Sequence, residues 1–252
     1  MATEKFSAKA HTRVEYNYSN FHKSLLHSNN AEDYALRHIY NLENTKELLR
    51  RWGWGEEQIK VGIEYSTIDV YEKIVYLHIP GHIIKRGEKV KIRGISRFIS
   101  KTDYVDVLVT RCWAKADPYK LEPGTEWDEF IVRGNTGDFY ELKLLSYTIT
   151  CTCHAYRGVE KAFDQDKKAS QALINNEICQ GQTPDKHIFA VWKYLGAENQ
   201  RQYEYCWLER RDKVIKEYQI NSWKFYPDLE DLETEYRQWQ DESELGDDIL
   251  TC

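Results

Sequence analysis

Apolar and polar positions alternate with different periods along this chain, and the periods divide it. Between Ala31 and Trp52, the residues Ala35, Leu36, Ile39, Leu42, Leu48, Leu49 and Trp52 recur at near-helical spacing. They predict a helix with Asn30 as its N-cap. Trp52-Gly53-Trp54-Gly55 ends that helix, because two glycines in four residues break it and permit a tight turn. The paired tryptophans read as the cap of a small core, with a stacking platform as the alternative. From Gln58 to Ile149 the period shortens to two. Val61, Ile63 and Tyr65 alternate, as do Ile68 and Val70, and Ile74–Ile79 is a buried-type run closed by Pro80-Gly81. Val90 and Ile92 alternate with Lys89, Lys91 and Arg93 after a turn at Lys85–Glu88, and Tyr104–Val109 follows as one more apolar run. Short, closely spaced strands with glycine punctuation predict a small antiparallel sheet or barrel.

Asp117–Gly124, with two prolines and a glycine, reads as a connector. Beyond it Phe130–Arg133, a turn at Gly134–Gly137 and Phe139–Leu144 predict a hairpin, and Tyr147–Thr150 leads as a strand into Cys151. Lys167–Ile174 reads as a helix stopped at Asn175-Asn176. Another is predicted after Thr183 as N-cap and Pro184 at the first helical position, with Ile188, Val191, Trp192 and Leu195 as its apolar stripe. Tyr203, Cys206, Trp207, Val214 and Tyr218 mark a further helix, and Leu229, Leu232, Tyr236 and Trp239 an acidic one. These stripes read as intramolecular core, with an exposed docking face as the alternative. The fold class is therefore α+β: an N-terminal helix, a small antiparallel sheet or barrel, a β-hairpin plus helix unit, and C-terminal helices. The implied spans are a loosely ordered polar arm (1–30), a helix plus β domain (31–116), the cysteine-bearing unit (124–196), a helical extension (197–227) and an acidic tail (228–252).

Charge changes this picture. The net charge of the 252 residues is −6, but residues 228–248 carry ten acids against Arg237 alone, so that segment holds −9 and the rest +3. A mildly basic body with an acidic tail is compatible with nucleic-acid contact and a tail that competes for the same surface; the plainer and preferred reading of the tail is a solvated acidic helix that aids solubility. Lys85, Arg86, Lys89, Lys91, Arg93, Arg97 and Lys101 form the densest basic stretch, with Phe98 and Tyr104 nearby. Basic strands with interleaved aromatics can hold single-stranded nucleic acid, whereas the plainer reading is the solvent side of a half-buried sheet. Mean hydropathy of −0.71 and the absence of a long apolar stretch argue against a membrane protein. The N-terminal residues have no secretory run, which favours the cytoplasm and reduced thiols.

No Gly-x-Ser-x-Gly elbow, phosphate-cradling glycine loop, Gly-x-Gly-x-x-Gly or His-Glu-x-x-His motif occurs, so the sequence favours a non-enzymatic module. A Cys153–His187 nucleophile pair is the catalytic alternative, but two neighbouring thiols and a histidine are more at home on zinc.

Six cysteines stand at 112, 151, 153, 179, 206 and 252. In a reducing compartment they read as metal ligands and spare thiols rather than disulfides. Cys151 and Cys153, two residues apart in a predicted strand, project from one face and can reach one ion. His187, in the first turn of a predicted helix, can close a tetrahedral Zn2+ site. The hairpin 130–140, then Cys151-Thr152-Cys153-His154-Ala155-Tyr156, then Lys186-His187-Ile188-Phe189-Ala190-Val191 resemble a SWIM zinc finger, whose pattern is C-x-C, a spacer, and C-x-H. The resemblance covers about residues 127–195. Tyr156 matches the family's aromatic after the second cysteine. Where the family has its third cysteine, two before His187, this chain has Asp185. Cys179 on a longer loop is the preferred replacement, giving Cys151, Cys153, Cys179 and His187. Asp185 as a direct ligand is the alternative, and a metal-free degenerate finger the third. His154, next to a strand ligand, faces away. The resemblance implies binding to nucleic acid, DNA before RNA, or to a nucleic-acid-processing protein; a protein–protein adaptor without direct nucleic-acid contact is the alternative.

Overall fold

The computed structural model describes residues 12–15, 34–85, 88–117, 119–134 and 137–225. The expected N-terminal arm lies mostly outside the described residues, and the acidic tail wholly so. The chain divides into two compact units, Met1–Cys206 and Trp207–Cys252. Among the described residues the architecture is mixed α+β, with antiparallel sheets and eight helices.

In the first unit, β1 (Thr12–Glu15), β2 (Thr67–Val70), β3 (Ile74–Ile79) and β6 (Ile95–Ser100) form one antiparallel sheet in the order β1-β2-β3-β6. It is open rather than a closed barrel. Period two explains it: Ile68, Val75, Leu77, Ile79 and Ile99 turn to the core. β4 (His82–Lys85) and β5 (Glu88–Lys91) pair with each other as a separate hairpin. The second sheet runs β10-β9-β8-β7, built from β7 (Leu121–Pro123), β8 (Glu129–Arg133), β9 (Phe139–Leu144) and β10 (Ile149–Cys151). The expected hairpin is β8–β9, in register Phe130↔Leu142 and Val132↔Tyr140. The connector contributes β7 to this sheet, so the sheet starts at Leu121.

One expected helix divides in two, and two expected strands are helices. The stretch 31–52 is two helices, α1 (Tyr34–His38) and α2 (Leu42–Arg51), because Asn41 caps the second: its side chain accepts the Asn44 N–H at 2.9 Å. Val61 and Ile63 lie on α3 (Glu56–Ile63), whose buried face is Ile59, Gly62 and Ile63. Tyr104–Val109 belongs to α4 (Lys101–Ala114). A short continuous apolar run fits a buried strand or a buried helix, and here Ser100 decides, its hydroxyl accepting the Asp103 N–H at 3.1 Å. This helix packs against α2 and also against α6 (Lys167–Ile174) and α7 (Lys186–Leu195), so apolar residues are needed on several of its faces. α1 packs on α5 (His154–Gln165). The expected Lys167–Ile174 helix is α6, capped by Asp166 and ended at Asn175. α8 (Gln200–Phe225) begins in the first unit, where Tyr203 is buried and donates its hydroxyl to the carbonyl of Leu145 at 2.6 Å. No helix among the described residues is long and apolar enough to cross a membrane.

Candidate metal centre

The site is assembled from a strand end and two helix starts. β10 places Ile149 and Cys151 inward, with Cys151 opposite Leu142 of β9. The strand stops there. Cys153 is the N-cap of α5, and its Sγ accepts the Tyr156 N–H at 3.2 Å. The two thiols therefore converge because the chain turns from strand into helix, and not because both stand on one strand face. Thr152 holds the turn to the sheet: its N–H donates to the Glu141 carbonyl at 3.0 Å and its hydroxyl accepts the Glu141 N–H at 3.0 Å.

The other half comes from the start of α7. Its N-cap is Asp185, not Thr183, and Pro184 stands before the helix. Asp185 Oδ1 accepts the His187 N–H at 2.8 Å and lies 3.3 Å from His187 Nδ1. Its Oδ2 is 3.5 Å from Cys153 Sγ, and His187 Nδ1 is 3.6 Å from Cys151 Sγ. One ligating atom from each of Cys151, Cys153, Asp185 and His187 lies within 4.8 Å of all the others. All four residues are buried, at 5, 3, 3 and 1 % exposure. This group could hold a metal ion.

Flanking residues fix the ring and the loop. Tyr140 stacks on His187 at 4.9 Å between centroids, and Tyr119 meets it edge-on at 4.7 Å. Lys186 Nζ stands over the Tyr119 ring at 4.9 Å. Gln182 pins the loop before α7 to β10: its Oε1 accepts the Ile149 N–H at 2.8 Å, and its Nε2 donates to the Ile149 carbonyl at 3.1 Å. Tyr119 and Gln182 had no signal in the sequence, whereas Tyr140 and Lys186 lie in the stretches that carry the resemblance. Asp185 did have a signal: it stands two before His187, where the resemblance places a third ligand, and it was the alternative there to Cys179.

The electrostatics suit a cation. Burial alone would raise the Asp185 carboxyl, but hydrogen bonds from His187 and that ring's charge hold its pKa below the ordinary range. Burial likewise opposes the imidazolium of His187, yet Asp185 and Cys153 raise its pKa to about 9. Cys151 donates to Cys153, which lowers the pKa of the Cys153 thiol and raises that of Cys151. A cation bound here would compete with protons for the same sulfur and nitrogen atoms.

The remaining predicted residues fall elsewhere. Cys179 is buried outside the group, in the loop after α6. Its N–H donates to Asn176 Oδ1 at 3.0 Å, and burial pushes its thiol pKa upward, with Cys112 and Asp106 adding to the shift. The third position beside the two cysteines and the histidine is therefore occupied by Asp185. His154 is exposed, and Cys206 Sγ faces the Leu195 carbonyl at 3.4 Å. Of the basic stretch, Arg86 lies outside the described residues, and Lys85 and Lys89 are described by backbone only, on the β4–β5 hairpin. Lys91, Arg93 and Arg97 are exposed, whereas Lys101 is buried in an ion pair with Asp166 at 2.6 Å. Tyr104 is fully buried rather than beside a binding face.

No family model, curated protein or solved structure matches this chain.

Proposed function

We propose that this chain is a non-enzymatic, zinc-stabilised recognition module of the SWIM type that serves nucleic-acid transactions, with Cys151, Cys153, Asp185 and His187 as the four zinc ligands. The observation that carries this reading is the spacing of the ligating atoms. Zinc bound tetrahedrally by sulfur at about 2.3 Å and by nitrogen or oxygen at about 2.0–2.2 Å has ligand atoms about 3.3–3.8 Å apart. Here His187 Nδ1 is 3.3 Å from Asp185 Oδ1 and 3.6 Å from Cys151 Sγ, Asp185 Oδ2 is 3.5 Å from Cys153 Sγ, and one ligating atom from each residue lies within 4.8 Å of the others, a spacing that a bound ion would draw in. Two thiolates, an imidazole and a carboxylate are an acceptable zinc set, and four protein ligands in a buried position make a closed, structural site rather than a catalytic one. The order of hairpin, C-x-C and Lys186-His187-Ile188 supports the SWIM assignment. The mildly basic body supports nucleic acid as the ligand.

Metal analysis of the purified chain tests the reading. One zinc per chain is expected in wild type and in Cys179→Ser, and its loss in Cys151→Ser. Zinc retained in Cys151→Ser, or lost in Cys179→Ser, refutes the ligand set. A salt-dependent anisotropy titration tests the partner: if neither DNA nor RNA binds at low salt, the module contacts a protein instead.

A further inference from the structure

Two features that are separate in the sequence meet in the fold: the Trp52-Gly53-Trp54-Gly55 turn and the basic stretch after β5. Gly53, at φ +76°, lets the chain reverse at the end of α2, and the Trp54 N–H returns to the Leu49 carbonyl at 3.0 Å. Arg97, on edge strand β6, lies with its guanidinium carbon 4.6 Å from the centre of the Trp52 ring. Arg93, in the segment just before β6, lies 5.6 Å from the centre of the Trp54 ring. The backbone beneath Arg93 is pinned. Ile92 donates its N–H to the Gly81 carbonyl at 3.0 Å, and a Cβ on Gly94 would come within 2.8 Å of Gly81 backbone atoms.

We propose that Arg93 and Arg97, placed over the indoles of Trp54 and Trp52, form a binding surface for the phosphodiester backbone of nucleic acid. Both arginines are exposed, and among the described residues neither pairs with a carboxylate. Arg50, just before Trp52 in the chain, is different: Glu56 and Glu47 occupy its guanidinium at 2.6 and 3.1 Å. A guanidinium held over an aromatic ring by a cation–π contact loses part of its freedom while its exposed N–H groups stay available to a ligand. It is thus pre-organised for the two parallel hydrogen bonds that a phosphate accepts. Lys91, exposed at the end of β5, adds charge without such a platform. Trp54 is 5 % exposed and Trp52 is already covered by Arg97, so the indoles orient arginines and do not stack bases. Recognition through phosphates alone is independent of base sequence and strongly salt-dependent. Lys101, turned inward to Asp166, takes no part.

This inference rests on the proposed function for the class of ligand and not for the metal. The test is fluorescence anisotropy of the full chain with a labelled 20-nucleotide single strand of DNA and with its duplex at about 50 mM salt. Zinc content is measured in the same samples. Wild type is expected to bind at least one probe with affinity falling steeply as salt rises. Arg93→Ala/Arg97→Ala should weaken binding on the order of tenfold per arginine and flatten the salt slope by about 1 for each. Arg93→Lys/Arg97→Lys, which keeps the charge and loses the planar fork, should lie between. Arg211→Ala, an arginine of the second unit, should match wild type, and all four proteins should hold the same zinc. Equal affinity of wild type and the double alanine variant would overturn the surface while leaving nucleic acid as the ligand. Binding of neither probe by zinc-loaded wild type would overturn the surface and the nucleic-acid reading together, and would leave the metal centre standing.

Discussion

Two buried polar clusters lie in the first unit, and their contacts differ in kind. Around Asp166 everything is complementary. Lys101 Nζ reaches Oδ2 at 2.6 Å, the Tyr40 hydroxyl donates to the same oxygen at 2.7 Å, and Oδ1 accepts the N–H groups of Lys168 and Ala169 at 3.1 Å. Around Asp185 the contacts between side chains are 3.3–3.6 Å, and His187 Nε2 is buried without a hydrogen-bond partner. The first cluster is closed by its own charges and ties the turn between α1 and α2 to α4 and to the start of α6. The second brings two thiols, an imidazole and a carboxylate together at these longer spacings, and it could hold a metal ion. Burial is common to both. What differs is the chemistry of the groups gathered: an ammonium and a carboxylate neutralise each other, whereas thiols, imidazole and carboxylate are all groups that ligate metals.

The largest effect belongs to the matched cluster. Asp166→Ala should cost about 3–5 kcal/mol by leaving Lys101 buried and unpaired, and about 1 kcal/mol more through the lost α6 cap. Replacing both partners, as Lys101→Met/Asp166→Leu, should recover much of the ion-pair part, since a well-packed apolar pair is often no worse than a buried ion pair. Urea unfolding checks both; a loss under about 1 kcal/mol in Asp166→Ala would mean that the pair is solvated. Metal content should be unchanged in either variant.

Removing zinc should come next. At a thousandfold excess of free zinc over its dissociation constant the bound ion stabilises by about 4 kcal/mol. Stripping it with a chelator should therefore lower the thermal midpoint by about 8–16 °C. A midpoint that ignores the chelator would make the second cluster no different from the first.

Asp185 sharpens the comparison by itself. Asparagine caps helices about as well as aspartate, so Asp185→Asn should leave α7 intact while weakening zinc binding on the order of tenfold or more. Asp185→Cys, which restores C-x-H, should tighten it. Competition with a chromogenic chelator measures both, and equal affinities in all three proteins would remove Asp185 from the ligand set.

The smallest effect is that of pH on the metal-free protein. The folded pKa of His187, about 9, lies above its ordinary 6.5, so its contribution is full below 6.5 and is lost as pH rises through about 9. Asp185, with its pKa depressed, contributes above the ordinary carboxylate range and loses that contribution as pH falls. The zinc-loaded protein should show the acid limb more strongly, because protons compete with metal for the same ligands. Thermal midpoints across pH 5–10, with and without zinc, separate the two limbs; an apo protein most stable at pH 10 would contradict the His187 assignment.

How much of this was legible in the sequence depended on how local the cause was. The β8–β9 hairpin follows from alternation around a glycine-bounded turn, and α6 was legible from its stop at Asn175-Asn176, while its cap at Asp166 was not read. Cys151, Cys153 and His187 were readable as converging ligands because a hairpin and a helix start bracket them. α4 was misread because Tyr104–Val109 is apolar at most positions; the Ser100-x-x-Asp103 cap was the available cue. Lys101 was misplaced for another reason. Its partner, Asp166, is 65 residues away, and no local pattern announces such a pairing. Cys179 was preferred to Asp185 on ligand chemistry, but the path of the loop after α6 decides which side chain reaches the thiols.

Zinc-edge X-ray absorption of the purified chain tests the central claim most directly. The account requires one zinc with two sulfur ligands at about 2.3 Å and two nitrogen or oxygen ligands at about 2.0–2.2 Å. Three sulfurs would bring in a cysteine that the fold keeps apart from the group, and a chain purified with zinc present that holds none would show that Cys151, Cys153, Asp185 and His187 are not a metal centre.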